Sequence, residues 1–174
     1  MKKSSKNRAT AFVITCALLV IGGAAVFAKT GAARMFTSRP EIKVALSGTV
    51  HRGQADLPLD KAEAVGSGEV VNWSIVSSNV GNAAAHDYKT VGQIPKGTSF
   101  VEGSAKADAH VAVTYSIDGG KTFTAQPMIA EKQPDGSMKQ VPAPVAMYTQ
   151  VRYEWADPLA AEGKLTASYQ VRVK

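Results

Sequence analysis

The 174-residue sequence predicts an all-β domain, an antiparallel sandwich or barrel, preceded by an N-terminal signal or anchor helix. Three observations support this fold class. From Glu41 onwards, apolar residues recur with a period of two, which is the period of side chains along a strand. Turn-forming residues separate the apolar runs at short intervals. The start of the chain combines basic residues with an apolar stretch, which is typical of export signals.

Residues 1–28 have the three parts of a secretory signal peptide. Four cationic residues precede an apolar run over residues 11–21, and small residues follow as far as Ala28. Val26 and Ala28 suit the −3 and −1 positions, so we expect cleavage after Ala28. The alternative is an uncleaved anchor, because residues 11–28 just reach the length of a transmembrane helix. Both outcomes predict an extracytoplasmic location (periplasmic, secreted or cell surface), the second with inner-membrane anchoring.

Composition limits the function classes. Loss of residues 1–28 removes four basic residues and lowers the formal net charge from +6 to +2. No basic run follows Arg39, so we expect no nucleic-acid partner, and we expect membrane contact only through residues 1–28 if they are retained. The single cysteine, Cys16, lies in the apolar run. Cleavage would therefore leave no disulfide or cysteine nucleophile.

The rest of the chain is predicted to hold a linker, residues 29–40, and a single domain, residues 41–174. Five alternating runs mark the clearest strands: residues 42–47, 71–75, 111–117, 151–155 and 165–173. Each run has one apolar core face and one polar face, the pattern of an antiparallel sheet with one solvated side. In residues 131–144, prolines and an Asp-Gly pair predict a long loop or a loose hairpin.

Residues 115–123 read Tyr-Ser-Ile-Asp-Gly-Gly-Lys-Thr-Phe, the most distinctive motif in the chain. They predict two short strands around a Gly-Gly turn and match the Asp-box pattern Ser/Thr-x-Asp-x-Gly-x-Thr-Trp/Phe. We expect Asp118 to accept backbone N–H groups while Gly119 and Gly120 take positive φ. The functional interpretation would be sialidase-like hydrolysis, which needs a propeller of repeated blades. One box on a short chain instead predicts a structural turn.

Two longer motifs resemble a bacterial surface-repeat family, the domain of unknown function numbered eleven. Residues 68–83 resemble its Gly-Asp/Glu-x-Val-x-Tyr-x-Ile-x-Val-x-Asn-x-Gly-x-Ala pattern, and residues 94–104 its Leu-Pro-x-Gly-x-x-Phe-Val-x-Gly-Ser pattern. The resemblance covers roughly residues 42–173 and includes the hairpin at 115–123. It implies an immunoglobulin-like β-sandwich in an extracytoplasmic setting, and it implies no activity.

Physical chemistry supports the same motifs. Asn79 can bond the backbone two residues further on and so form a turn after its strand. Pro95-Lys96-Gly97 suits a β-turn with proline at the second position. Trp73 lies on the inward phase of its strand, and we expect it to anchor the core because an indole brings a large apolar area.

Other candidate sites have little support from spacing. His51, His86 and His110 lie on separate segments, so a zinc site would need the fold to gather them. Scattered carboxylates could meet and hold calcium: Asp56, Asp60, Glu63, Glu102 and Asp108. No Asp-x-Asp spacing supports calcium, and no Gly-x-Ser-x-Gly elbow supports a serine hydrolase. We therefore expect no catalytic residue and no cofactor, with calcium as the alternative.

The sequence predicts function at the level of an interaction module. We expect an exported, non-enzymatic cell-envelope protein that binds an envelope protein or glycan through a sheet edge or end loops. The predicted interaction loop contains Glu131, Lys132 and Gln133, and Tyr148 is expected at the surface. Two alternatives stay open. One is a periplasmic carbohydrate-binding or hydrolase accessory domain, and the other is a membrane-anchored subunit of an envelope assembly.

Overall fold

The computed structural model describes residues 38–53, 55–108 and 110–174. The strands of these ranges are β1 Ile42–Arg52, β2 Ala55–Pro58, β3 Val70–Asn79, β4 Lys89–Gln93, β5 Thr98–Phe100, β6 Lys106–Ala107, β7 Val111–Ser116, β8 Met128–Lys132, β9 Met138–Pro142, β10 Gln150–Trp155 and β11 Lys164–Val173. Two short 3-10 helices, Leu59–Lys61 and Val145–Met147, accompany them. The all-β prediction is therefore confirmed.

The predicted signal or anchor, residues 1–28, lies outside the described residues, as do residues 29–37 of the predicted linker. Over the described ranges, no helix has the length and apolar character needed to cross a membrane.

The strands form two main sheets and a separate hairpin. The larger sheet has the order β2-β1-β3-β11-β5, with β6 also paired to β11. The smaller sheet has the order β4-β10-β7, and β8 pairs with β9. All these pairings are antiparallel, as the alternating sequence pattern predicts.

Both main sheets contribute to one core. Its buried side chains are Val71, Ile75, Phe100, Val151, Tyr153, Trp155, Ala167, Tyr169 and Val171. Two hydroxyl groups link the sheets: Tyr153 donates to the Ser168 carbonyl at 2.7 Å, and Tyr169 donates to the Gln93 carbonyl at 2.6 Å. Burial raises the pKa of Tyr169 to about 12, so its phenol stays neutral and keeps donating this bond.

The core covers only part of β1. The sequence predicted that the apolar face of residues 42–47 would pack into the core, and for Val44 and Leu46 the expected burial is wrong, because these residues are 56% and 60% exposed. Leu46 pairs with the buried Ile75, so it does lie on the inward face of its sheet. Val50, further along the same strand, is fully buried. The smaller sheet ends at β4, and the first half of β1 has no cover among the described residues.

A buried asparagine closes one end of the domain. Asn79 is 1% exposed, and its Oδ1 accepts hydrogen bonds from the Glu41 and Gly81 amides at 3.1 Å. The predicted bond to the backbone two residues further on is thus confirmed. The Nδ2 group donates to the carbonyls of Ala83 at 2.7 Å and of Leu159 and Ala160 at 3.1 Å. One side chain therefore joins the start of β1, the end of β3 and the segment before β11.

Candidate binding groove at an open sheet edge

An apolar groove lies between the first half of β1 and the edge strand β4. Its volume is about 230 Å³. The residues that line it are Val44, Leu46, Trp73, Ile75, Thr90, Val91, Gly92, Gln93, Pro95 and Tyr169. Most of these side chains are apolar, so an apolar side chain that replaced water here would be bound favourably.

Trp73 occupies the boundary between the core and this groove. The sequence predicted it as a core anchor, and its ring does pack against the core, but it is only half-buried and also lines the groove. Its Nε1–H group is buried without a hydrogen-bond partner among the described residues. A Cβ at Gly48 would lie 3.0 Å from Cζ3 of this indole, so the glycine leaves room for the ring.

One edge of β4 pairs with no strand of the described residues. Two flanking bonds fix the ladder on its other side: Ile94 N donates to Thr149 O at 2.9 Å, and Trp155 N donates to Tyr88 O at 3.1 Å. Alternate residues of an antiparallel strand direct their backbone groups to opposite sides. The N–H groups of Lys89, Val91 and Gln93 therefore point away from β10. No described strand pairs with them, and such an edge is a template for an added strand.

A glycine allows β4 to lie close to the larger sheet. A Cβ at Gly92 would lie 2.3 Å from Cε1 of Tyr169. The same ring reaches past this position and bonds the Gln93 carbonyl. Glycine within a strand often marks such a close approach. Sequence reasoning missed the groove, although Gly92 was the signal that pointed to it.

The Asp118 turn follows β7, at the opposite edge of the smaller sheet from β4. Gly119 and Gly120 have φ values of +75° and +92°. The two arms meet in a bridge, in which Tyr115 N donates to Thr124 O at 2.8 Å and Thr124 N donates back at 3.0 Å. The motif is therefore a closed turn.

The carboxylate of Asp118 is fully engaged in this turn. Oδ1 accepts bonds from the amides of Lys121 and Thr122 at 3.0 Å and from the Ser116 hydroxyl at 2.7 Å. Oδ2 accepts the Thr122 hydroxyl at 2.6 Å. These bonds, led by the one from the Thr122 hydroxyl, hold the pKa of Asp118 well below its ordinary value. The carboxylate serves as an acceptor for the turn.

The predicted interaction loop is an ordered hairpin. Glu131 and Lys132 belong to β8 and pair with Lys139 and Met138 of β9. The Gln133 amide donates to the Ser137 carbonyl at 2.8 Å in the turn. Of the two forms that the sequence left open, the structure has the hairpin, because the strands satisfy each other's backbone groups despite the nearby prolines.

The structure contradicts the surface position expected for Tyr148. Its ring is half-buried and packs against the core. It stacks on Tyr115 with centroids 4.9 Å apart and lies 5.8 Å from the Phe100 ring. The residue lies just after a 3-10 helix, so the period-two pattern that placed it outside does not extend to it.

The fold does not gather the candidate metal ligands. Across residues 38–53, 55–108 and 110–174, no group of three or more His, Cys, Asp or Glu residues is placed to hold a metal ion. His51 bonds Asp56 at 2.9 Å. Asp108 directs both carboxylate oxygens to the Thr166 amide at 2.9 and 3.0 Å. Asp56 and Asp108, two members of the calcium set, thus have partners within the protein.

A polar cleft of about 570 Å³ lies on the larger sheet and is lined by Thr49, His51, Asp56, Val70, Asn72, Val101, Glu102, Gly103, Ser104, Lys106, Ser168 and Gln170. No Phe, Tyr or Trp is among them. The Ser104 hydroxyl donates to the Val101 carbonyl and accepts the Gln170 amide, so it is held by backbone. The cleft therefore has no aromatic platform for a carbohydrate ring, and the hydroxyl of Ser104 is engaged with the backbone.

Comparisons with known proteins bring no assignment. No family model matches the chain, no curated protein matches it, and no solved structure matches it. The features that bear on function are the apolar groove and the free edge of β4.

Proposed function

We propose that this chain is an exported, non-enzymatic interaction module of the cell envelope, built as an immunoglobulin-like β-sandwich, which binds an extended strand at the edge of β4. One observation carries the proposal: an apolar groove of about 230 Å³ lies beside an edge of β4 that no strand of the described residues covers. This combination suits β-augmentation, in which main-chain hydrogen bonds give affinity and pockets for alternate side chains give specificity.

The added strand would use both features at once. Its backbone would pair with Lys89, Val91 and Gln93, each hydrogen bond contributing about 0.5–1.5 kcal/mol. Every second side chain would enter the groove towards Leu46 and Trp73, and each apolar side chain buried there contributes about 1.5–3 kcal/mol. Two or three such side chains give a specific complex.

Two features of the sequence support the envelope setting. Residues 1–28 carry the pattern of an export signal, and residues 68–83 and 94–104 resemble the surface-repeat family. A pair of antiparallel sheets around one core is compatible with an immunoglobulin-like sandwich. The alternative of a membrane-anchored subunit uses the same groove, on a chain that retains residues 1–28.

Site-specific photo-crosslinking in cells that export the full-length chain tests the proposal. Leu46 and Ser47 are neighbours on opposite faces of β1, so they form a matched pair of positions for the crosslinker. We expect adducts from position 46, which lines the groove, and none from position 47. Equal adducts from both positions, or none from either, would contradict the groove as the binding site.

A proline substitution tests the pairing itself. Val91→Pro removes an N–H group that faces the free edge and leaves the bonds between β4 and β10 in place, and proline is tolerated on that side of an edge strand. We expect the adducts from position 46 to disappear while thermal unfolding stays cooperative. Persistence of the adducts in a folded Val91→Pro protein would show that binding does not use this edge.

A further inference from the structure

We propose that the strand bound at β4 is a single extended segment of another polypeptide, paired antiparallel to β4, in which an aromatic residue is followed two positions later by a branched aliphatic residue. The inference rests on the proposed function, because it names the kind of partner that fits the same groove. The outer edge of β4, which faces away from β10, sets the register of this segment. The inner face of the larger sheet selects its side chains.

Val91 is the centre of the pairing. Its N–H and C=O groups lie on the outer edge of β4, where no described strand pairs with them. The carbonyl of Gln93 on the same edge already accepts the Tyr169 hydroxyl at 2.6 Å. An antiparallel segment centred on Val91 would exchange two hydrogen bonds with it. The next positions of the segment then lie opposite Thr90 and Gly92, and their side chains point to the inner face.

The position opposite Gly92 lies beside two aromatic rings. The Tyr169 ring comes so close that a Cβ at Gly92 would lie 2.3 Å from its Cε1. Trp73 is the register partner of Tyr169, and its half-buried indole also lines the groove. Because Gly92 has no side chain, nothing on β4 separates the incoming residue from these rings. An aromatic side chain suits this position, since aromatic rings attract one another beyond the effect of the area they bury.

The position opposite Thr90 lies over Leu46. The level of β4 is fixed by Tyr88, whose hydroxyl donates to Ser77 Oγ at 2.7 Å. Two residues further along each strand, Thr90 is level with Ile75, and Ile75 pairs with Leu46. The Leu46 side chain is 60% exposed. A branched aliphatic side chain would cover it, and such side chains fit the pleated surface of a strand.

These two positions fix the spacing and the order of the partner's side chains. Both point inward from one strand, so they lie two residues apart. In an antiparallel segment the residue opposite Gly92 precedes the residue opposite Thr90. A parallel segment would carry the same two side chains in the reverse order. The groove, at about 230 Å³, is smaller than the roughly 300–1,000 Å³ of small-molecule pockets, which favours side chains of a strand as its contents.

A second copy of this chain does not meet these requirements. The contacts of Gly92 with Tyr169 and of Tyr88 with Ser77 place β4 over β11 and β3. The larger sheet continues past β3 to β1. Two copies joined by their β4 edges would therefore bring their larger sheets into the same space. Moreover, β4 would offer only Thr90 and Gly92 to the other groove, and its apolar lining would stay uncovered.

Peptide binding to the exported chain tests the inference. The probe is a synthetic peptide, Ser-Phe-Thr-Val-Ser. Its controls are Ser-Val-Thr-Phe-Ser, with the order reversed, and Ser-Phe-Thr-Ser-Val, with the two apolar residues three positions apart. We expect fluorescence anisotropy to show that the probe binds at least about tenfold more tightly than either control, because only the probe buries both apolar side chains at their positions. Equal affinities, or tighter binding of the reversed peptide, would overturn the inference.

Two further measurements locate the bound probe. Leu46→Ser should weaken probe binding at least about fivefold, whereas Ser47→Ala on the opposite face of β1 should leave it unchanged. In hydrogen exchange, the probe should slow the Val91 amide at least about tenfold and should not affect the Thr90 amide, which faces β10. Probe binding that ignores Leu46→Ser in a protein that still unfolds cooperatively would contradict the inference, as would an unprotected Val91 amide.

The two proposals fail in different ways. If the probe does not bind while crosslinks from position 46 reach another protein in cells, the inference falls and the strand-binding function stands. If those crosslinks join two copies or stay within one chain, another occupant fills the groove and the inference falls. If the probe does not bind and position 46 gives no adduct, both proposals fall.

Discussion

The Tyr169 hydroxyl donates a hydrogen bond of 2.6 Å to the Gln93 carbonyl and so joins the larger sheet to the edge strand of the smaller sheet. The ring can lie there because Gly92 has no Cβ in its way. Tyr169 is both a core residue and part of the groove lining. A change at this contact should therefore affect stability and the groove together.

Gly92→Ala should destabilise the domain. The new Cβ would lie 2.3 Å from the Tyr169 ring, so a buried aromatic or the edge strand must shift. We expect a loss of about 1–3 kcal/mol in the free energy of unfolding, measured by denaturant titration. The control is Gly66→Ala, where the nearest atom is 3.5 Å from the Cβ position. Equal stability of the two variants would contradict the packing described at Tyr169.

Asn79→Ala should be among the most destabilising polar substitutions. It removes five hydrogen bonds at a buried site and leaves the carbonyls of Ala83, Leu159 and Ala160 without this donor. We expect a loss of about 2–4 kcal/mol in the free energy of unfolding. Asn72→Ala, on the exposed face of the same strand, is the control and should change stability by less than about 0.5 kcal/mol.

Asp118→Asn should lower stability at neutral pH. In the folded state, hydrogen bonds led by the one from the Thr122 hydroxyl hold the pKa of the Asp118 carboxyl below its ordinary value of 3.8. The stabilisation from the ionised group is therefore present above pH 3.8 and is lost as the pH falls through the lower folded-state pKa. The difference between wild type and variant should shrink over that acidic range. Thermal unfolding measured from pH 7 downwards checks this.

The matched control for the Asp118 turn is Asp60→Asn. Asp60 is an exposed acidic residue in the first turn of the 3-10 helix Leu59–Lys61. Its substitution should leave the free energy of unfolding at neutral pH nearly unchanged. The contrary result for the turn is a stability difference between Asp118→Asn and wild type that stays constant down to strongly acidic pH. That result would show that the charge of Asp118 is not what holds the turn.

Replacing residues 131–141 by Gly-Gly should leave a folded domain. The hairpin of β8 and β9 forms its own two-stranded sheet, and the core cluster contains no residue from either strand. We expect cooperative thermal unfolding to persist, with crosslinks from position 46 unchanged. Loss of cooperativity would mean that the hairpin supports the core, and loss of the crosslinks would return the binding site to the predicted loop.

Much of the local structure was predictable. Alternation located β3, β10 and β11 because a half-buried strand requires it, and glycines at 119 and 120 predicted a turn with positive φ because other residues resist that conformation. The groove was not predictable in the same way. Val44 and Leu46 alternate with polar or small residues just as Val71 and Ile75 do. Only the position of the second sheet decides that the first pair is exposed and the second pair is buried.

The sequence by itself determined the strands, the turns and the all-β class, because these depend on residues close together in the chain. Tertiary structure alone decided which apolar faces are covered. Tyr148 is packed against Phe100 and Tyr115, whereas Leu46 is left open beside β4. Whether a strand face is buried depends on which residues of another sheet pack against it, and those residues lie far away in the chain. Because the smaller sheet ends at β4, the groove and the outer edge of β4 are not covered by any described strand.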